Sequence, residues 1–429
     1  MKVLVRPATS LKGSVAAPPS KNYTTRYIWL SALTRGESRV LGPAANDDAL
    51  ALQACCRSLG AVIREEGKNL VIKGFGRTPR AVKKLNPGNG GLVLRLLLAL
   101  GLLLPEVTYV TSYPDSLGKR PQDDLLAALR ALSAEVEDTG GRLPITVRGA
   151  GPLLRREAAV SGRVSSQYAT ALLFVAPLLG GLVVRVTEGL SSRPPLATTL
   201  QVMTGGGITP EADWERLVFR APGGEYVPGV YRVPGDYPAA AALLAAAAIV
   251  PSQVLITNLT PHDQQGEKAV LPYLKEMGVF LQETDRGVEI RGGAPLSAVD
   301  FCGEKAVDAV LSMAVVAALA TGTTRFSGVG NLRWKESDRI EDFACELRKA
   351  GVKVQEEREE FWITGQPEGY KGGTVIDAHQ DHRLVMAFSA LALRTREGLV
   401  IRGAEHVKKS YPTFFTDLTA LGAVVERLD

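Results

Sequence analysis

Hydrophobic and polar positions along the 429-residue chain repeat on a long period. The recurring pattern is a helix ending in small residues, an alternating strand, a polar turn and a second alternating strand. It runs from Leu59-Gly60-Ala61-Val62 to Leu70-Val71-Ile72-Lys73-Gly74, and from Leu132-Ser133-Ala134-Glu135-Val136 to Ile145-Thr146-Val147-Arg148-Gly149. Gly206-Gly207-Ile208 leads to Leu217-Val218-Phe219, Met277-Gly278-Val279 to Val288-Glu289-Ile290-Arg291-Gly292, and Ala350-Gly351-Val352 to Phe361-Trp362-Ile363-Thr364-Gly365. The spacing is about 72 residues, longer than the common solenoid periods. A sixth copy opens at Leu421-Gly422-Ala423-Val424-Val425 and stops before its second strand, while an unpaired alternating strand, Lys2 to Arg6, stands near the other end. Pairing the two covers both exposed edges and places both ends of the chain in one domain.

Each copy carries an apolar helical segment first, over residues 27–33, 92–104, 169–179, 239–249, 310–320 and 384–393. A short strand follows, such as 107–110 or 182–186, and then an amphipathic helix, such as 123–132 or 340–349. The unit reads α-β-α-β-β. The first helices are apolar nearly all round and are expected to be buried, whereas the second have a polar face and are expected outside.

Composition narrows the class. An apolar fraction of 45% and a charged fraction of 22% are those of an ordinary globular protein, and the length suggests two or three domains. The net charge of +5 is spread along the chain without a basic tail. It therefore does not point to nucleic acid, and an anionic ligand must be held by local charge. Cys55, Cys56, Cys302 and Cys345 form no C-x-x-C pair and read as idle thiols of a reducing compartment. Residues 1–7 open as a strand, not as a signal peptide. The most apolar stretch, 239–250, falls well short of the ~20 residues that cross a bilayer. A cytoplasmic protein with no membrane partner is expected.

Candidate chemistry gathers just before the buried helices or in the loops before the outer ones. Helix N-termini offer free N–H groups and a positive dipole end, which suit anions. Ser20-Lys21-Asn22-Tyr23-Thr24-Thr25-Arg26 opens the first helix, and Asn89-Gly90-Gly91-Leu92-Val93-Leu94-Arg95 the second, where glycine allows close backbone approach. Arg95, in an apolar run, needs a partner. Ser165-Ser166-Gln167 opens the third, where the serines can cap the helix or bind phosphate. Asp308 precedes the fifth, where a cap is the plain alternative, and Asp381-His382-Arg383 the sixth. The loops add Lys119-Arg120-Pro121, Ser192-Arg193-Pro194, Lys335-Glu336-Ser337-Asp338-Arg339 and Lys408-Lys409-Ser410-Tyr411-Pro412. Lys21, Arg26, Arg120, Lys335, Arg339, Arg383 and Lys409, if brought into one cleft, imply ligands with several negative charges. Asp308 and Glu336 then supply an acid–base pair. His379 and His382 lack a third ligand, so no metal is expected.

Taken together, S-K-x-x-x-x-R, N-x-G-x-x-x-R, R-P, S-S-Q, K-E-S-D-R, D-H-R and K-S-Y-P resemble, in order and spacing, the EPSP synthase family of enolpyruvyl transferases. The resemblance runs from Ser20 to Pro412. It implies an inside-out α/β prism of six α-β-α-β-β repeats in two similar domains, residues 1–14 with 235–429 and residues 15–234, with an active-site cleft between them. It implies transfer of an enolpyruvyl group from phosphoenolpyruvate to the 5-hydroxyl of shikimate 3-phosphate, by a monomer that needs no metal or organic cofactor. Carried over, Lys21, Asn22, Arg26, Ser165, Ser166, Gln167, Ser192, Asp308, Asn331 and Lys335 would hold shikimate 3-phosphate. Lys21, Asn89, Gly91, Arg120, Gln167, Arg339, Arg383 and Lys409 would hold phosphoenolpyruvate. Asp308 would act as base and Glu336 as acid, with Lys21, Lys409 and His382 assisting.

Three positions depart from the family's usual residues: Asn22 for Ser, Leu92 for Thr, and Pro195 where many members have Tyr. Two other readings stay open. The sister transferase acting on UDP-N-acetylglucosamine usually carries a Cys in the loop before its Arg-Pro, and Asp115 to Pro121 has none. A non-catalytic anion-binding paralogue would have no need of Asp308 and Glu336 among the cations.

Overall fold

The six apolar segments form six buried helices in a computed structural model that describes residues 1–149, 153, 155–190, 192–259 and 265–428. They are Lys21–Ala32, Gly91–Leu100, Gln167–Val175, Tyr237–Ile249, Val310–Ala318 and His382–Ala392. Every residue of Tyr237–Ile249 is buried, and eight of its positions are alanine. Small side chains let helix axes approach closely, and this helix packs against both Val310–Ala318 and His382–Ala392. The outer helices, such as Asp123–Ala131 and Glu341–Lys349, each keep a solvated face.

Around the helices the described residues form six four-stranded sheets. Three strands of each sheet are those the alternation predicts. The fourth is a parallel edge strand, for example Lys84–Leu85 beside Val107–Tyr109 or Phe301–Cys302 beside Thr323–Ser327. In four sheets the edge strand directly precedes the sheet's own buried helix, giving the β-α-β crossover that parallel pairing requires. In the other two the edge strands are exchanged. Leu11–Ala16, which precedes the first helix, pairs with Ser252–Thr257, and Val230–Arg232, which precedes the fourth, pairs with Glu37–Leu41.

The closing pair expected from the two incomplete edges forms. Lys2–Val5 lies between Leu399–Arg402 and Val425–Leu428, antiparallel to both. The chain divides into two compact units, Met1–Pro18 with Pro234–Asp429, and Pro19–Val233. Each holds three sheets, three buried helices and its own hydrophobic core.

The repeat's glycines have a steric cause. A Cβ on Gly74, Gly149, Gly292 or Gly365 would fall within 2.3 Å of a carbonyl oxygen at the end of the preceding buried helix or in the turn after it. Among the described residues no helix is long and apolar enough to cross a membrane.

Candidate active site

In the unit Pro19–Val233, the start of each buried helix carries polar side chains into an apolar core. Lys21 is the first residue of its helix, and its Nζ lies 3.5 Å from Asp48 Oδ2. Arg26, one turn on, is 1% exposed. Its Nε donates to Thr199 Oγ1 at 3.0 Å, Nη1 to the Asn22 carbonyl at 3.1 Å, and Nη2 to the Pro195 carbonyl at 2.8 Å. These partners are neutral, so burial lowers the Arg26 pKa to about 10. Two of the three departures supply only a backbone oxygen to Arg26, which any residue there can provide.

Arg95, on the second buried helix, meets its need for partners at the start of the third and just before the outer helix Asp123–Ala131. Its Nη1 donates to Ser165 Oγ at 3.0 Å and Gln167 Oε1 at 2.6 Å, and its Nε to Gln122 Oε1 at 3.1 Å. Its guanidinium lies 4.8 Å from the Tyr168 ring centroid, a cation–π distance. Arg120 is buried beside it: a Cβ on Gly91 would stand 2.9 Å from Arg120 Nη1, 3.7 Å from Arg95 Nη1 and 3.8 Å from Gln167 Oε1. Gly91, Arg120, Ser165 and Gln167 are thus one cluster organised by Arg95. Asn89, Ser166 and Ser192 are buried on the approaches to helices Gly91–Leu100, Gln167–Val175 and Pro194–Gly205.

The other unit carries a cluster built on Arg339. This guanidinium is buried and donates through Nε to Asp381 Oδ2 at 2.8 Å and through Nη2 to Asp381 Oδ1 at 3.2 Å. Nη2 also reaches Glu336 Oε2 at 3.0 Å, and Nη1 reaches Asp308 Oδ1 at 3.1 Å. Burial opposes its charge, but Asp381, Glu336 and Asp308 outweigh burial and raise its pKa. Lys409 Nζ donates to Glu336 Oε1 at 2.6 Å. Arg383 Nη1 donates to the Pro238 carbonyl at 2.7 Å, its Nη2 lies 4.0 Å from Asp308 Oδ2, and its buried Nε has no hydrogen-bond partner among the described residues. His382 Nδ1 lies 3.6 Å from Asp381 Oδ1.

Asp381 holds this cluster to the fold. It caps helix His382–Ala392 by accepting the Arg383 N–H at 2.8 Å while it grips Arg339. Asp308 is not a helix cap: it sits in the 3-10 turn Val307–Ala309 that leads into the fifth helix. Asn331 is buried on the turn Gly330–Trp334, which leads directly into Lys335 and Glu336. His379 engages Glu346 Oε1 at 3.1 Å and Asp342 at 3.5 Å.

Partners such as Asp48, Thr199 and Gln122 lie outside the motifs, and so does the grip of Asp381 on Arg339. Only Arg95, a cation in an apolar run, signalled in sequence that a polar partner such as Gln122 must exist.

The same fold is found in solved structures. An EPSP synthase from Acinetobacter baumannii superposes with a TM-score of 0.81 at 26% identity, covering 99% of this chain and 100% of that one. The enolpyruvyl transferase NikO from Streptomyces tendae shares the fold, with a TM-score of 0.77 at 17% identity and coverage of 99% and 98%. The fold is that of the enolpyruvyl transferases. A family model described as EPSP synthase (3-phosphoshikimate 1-carboxyvinyltransferase) matches residues 5–418. A 3-phosphoshikimate 1-carboxyvinyltransferase of Deinococcus radiodurans is 45% identical, over 99% of this chain and 96% of that one. One of Methanothermobacter thermautotrophicus is 37% identical, over 98% and 99%. The chain belongs to the EPSP synthase family.

Proposed function

We infer that this chain transfers the enolpyruvyl group of phosphoenolpyruvate to the 5-hydroxyl of shikimate 3-phosphate, releasing phosphate, in the shikimate pathway that leads to the aromatic amino acids. The observation that carries this reading is Arg339 joined to Asp308, Glu336 and Asp381, with Lys409 on Glu336. An addition–elimination needs an acid for the enol methylene, a base for the attacking hydroxyl and cations for the departing phosphate, and these residues are of those kinds.

In the reading proposed, Glu336 protonates the methylene carbon and the adjacent carbon becomes cationic. Lys409, hydrogen-bonded to Glu336, replaces the proton delivered. Asp308 takes the proton of the attacking hydroxyl as the C–O bond forms. The tetrahedral intermediate then loses phosphate and a methyl proton, regenerating the enol. Lys21 contacts both substrates and His382 assists proton transfer. Asn22, Arg26, Ser165, Ser166, Gln167, Ser192, Asn331 and Lys335 hold shikimate 3-phosphate. Asn89, Gly91, Arg120, Gln167, Arg339, Arg383 and Lys409 hold phosphoenolpyruvate. The two units serve as its domains, and the enzyme works as a cytoplasmic monomer without a cofactor.

The test is phosphate release from phosphoenolpyruvate, with shikimate 3-phosphate or UDP-N-acetylglucosamine as acceptor, in wild type and Asp308→Ala. Release only with shikimate 3-phosphate, lost in the variant, supports both substrate and base. Release with the nucleotide sugar overturns the acceptor.

A further inference from the structure

Glu267 lies outside every motif and next to the proposed base. It sits in the 3-10 turn Gly266–Ala269 and is 7% exposed. Its Oε1 accepts the backbone N–H of Asp308 at 3.4 Å, tying that turn to Val307–Ala309. Among the described residues, the charged groups that face it are Asp308, Arg383 and Asp236. Asp236 caps helix Tyr237–Ile249 through the Ala239 N–H at 2.8 Å. Lys268, the next residue along, turns to Glu283 Oε2 at 2.9 Å. Asp308 also accepts from Arg339 Nη1 at 3.1 Å, while Arg383 Nη2 stands 4.0 Å from its other oxygen. Burial, then the charge of Asp308, lifts the Glu267 carboxyl to about 7, with Arg383 opposing.

We propose that Glu267 is a positioning residue for Asp308: it fixes the Val307–Ala309 turn through the Asp308 N–H, and its own charge sets how strongly the Asp308 carboxylate holds a proton. The proposal rests on the reading of Asp308 as the base. Two adjacent carboxyls, one of them buried, cannot both ionise without mutual repulsion, so the pair titrates together. While Glu267 keeps its proton, Asp308 has one fewer negative neighbour and is the weaker base. When Glu267 ionises, Asp308 binds a proton more strongly and draws the hydroxyl proton more effectively.

Glu267→Gln keeps an acceptor for the Asp308 N–H and removes the charge; Glu267→Leu removes both. The measurement is kcat, and KM for both substrates, across pH in the full-length wild type and both variants. In wild type, kcat is expected to rise between about pH 6 and 8; in Glu267→Gln that rise disappears and kcat at high pH is roughly threefold to tenfold lower, with both KM values within about twofold. Glu267→Leu loses more at every pH. Carbon-13-labelled glutamate in the wild type is expected to show one carboxyl titrating near neutrality, absent from Glu267→Gln and moved to lower pH in Asp308→Asn. A Glu267→Gln enzyme with the wild-type kcat and pH profile would overturn the proposal, as would a Glu267 resonance indifferent to Asp308→Asn. Wild-type turnover by Asp308→Asn would instead overturn the base assignment, leaving the coupling of the two carboxyls to be decided by the resonance alone.

Discussion

Lys409 Nζ lies 2.6 Å from Glu336 Oε1, and both side chains are almost wholly shut off from solvent. Groups joined this closely act as one unit. Lys409→Met and Glu336→Gln are each expected to lower kcat by about a hundredfold to ten-thousandfold, the range of general acid–base catalysis. The double variant is expected to lose little more than either single one, because the second change removes an already broken pair. Steady-state kcat at saturating substrates measures all three. Losses that multiply would show that the two groups act separately.

Asp381 carries two tasks on one carboxylate, gripping Arg339 and capping the sixth buried helix. Asp381→Ala leaves a buried guanidinium short of its bidentate partner, and the expected loss of stability is about 3–5 kcal/mol. The denaturant midpoint of the unit containing it reads this directly. Asp381→Asn, which can still accept the Arg383 N–H, is expected to lose less.

Gly91→Ala tests the cluster in the other unit. The new methyl would meet Arg120 Nη1 at 2.9 Å, the far end of a flexible side chain that can yield. The melting temperature should barely move. The KM for phosphoenolpyruvate should rise about tenfold, well above any change for shikimate 3-phosphate, because small displacements of a binding cation are costly.

Two glycines far from the chemistry predict opposite outcomes. A Cβ on Gly292 would lie 1.9 Å from the Ala247 carbonyl oxygen and 2.7 Å from that of Val250, and backbone cannot step aside cheaply. Gly292→Ala is expected to cost about 3 kcal/mol or more. Gly205, the last residue of helix Pro194–Gly205, has nothing within 4 Å of its Cβ position, so Gly205→Ala should stabilise by about 0.5 kcal/mol. Urea melts of both decide the pair.

Glu267 makes stability depend on pH with a definite sign. Its carboxyl is raised from 4.5 to about 7 in the folded protein. Below its unfolded value, folded and unfolded chains both hold the proton. Between the two values the unfolded chain releases a proton that the folded chain keeps, so stability falls as pH rises; above the folded value the folded chain bears the full penalty, on the order of 3 kcal/mol. Glu267→Gln removes that penalty, and its gain in melting temperature over wild type is expected to grow from about pH 5 to about pH 8.

Periodicity made the helices and most strands legible because each spans several turns of pattern. It did not reveal the parallel edge strands: Lys84–Leu85 and Phe301–Cys302 are two residues long, too short to alternate, and the six-residue Glu157–Gly162 has no clean alternation of apolar and polar positions. Nor could it reveal that Leu11–Ala16 and Val230–Arg232 exchange sheets, since pairing partners leave no trace in a strand's own sequence. At the site, charged residues in unusual places were legible, and Arg95 in its apolar run even signalled partners. The partners were harder. Glu267 lies in a short polar turn beside a lysine, which reads as a solvated surface until the fold brings Asp308 against it. Asp381 stands in the D-H-R motif, while its cap on the sixth buried helix and its hold on Arg339 are visible only in three dimensions.

The antiparallel triplet around Lys2–Val5 has a consequence for synthesis. That strand is made long before either of its neighbours, Leu399–Arg402 and Val425–Leu428. The contiguous stretch Pro19–Val233 can complete its three sheets in the meantime, since nascent domains fold as units in order of emergence. Lys2–Val5 meanwhile waits with both edges bare until those neighbours are made. A truncation that removes Val425–Leu428 would thus do its damage about 420 residues away in sequence, by uncovering one edge of Lys2–Val5.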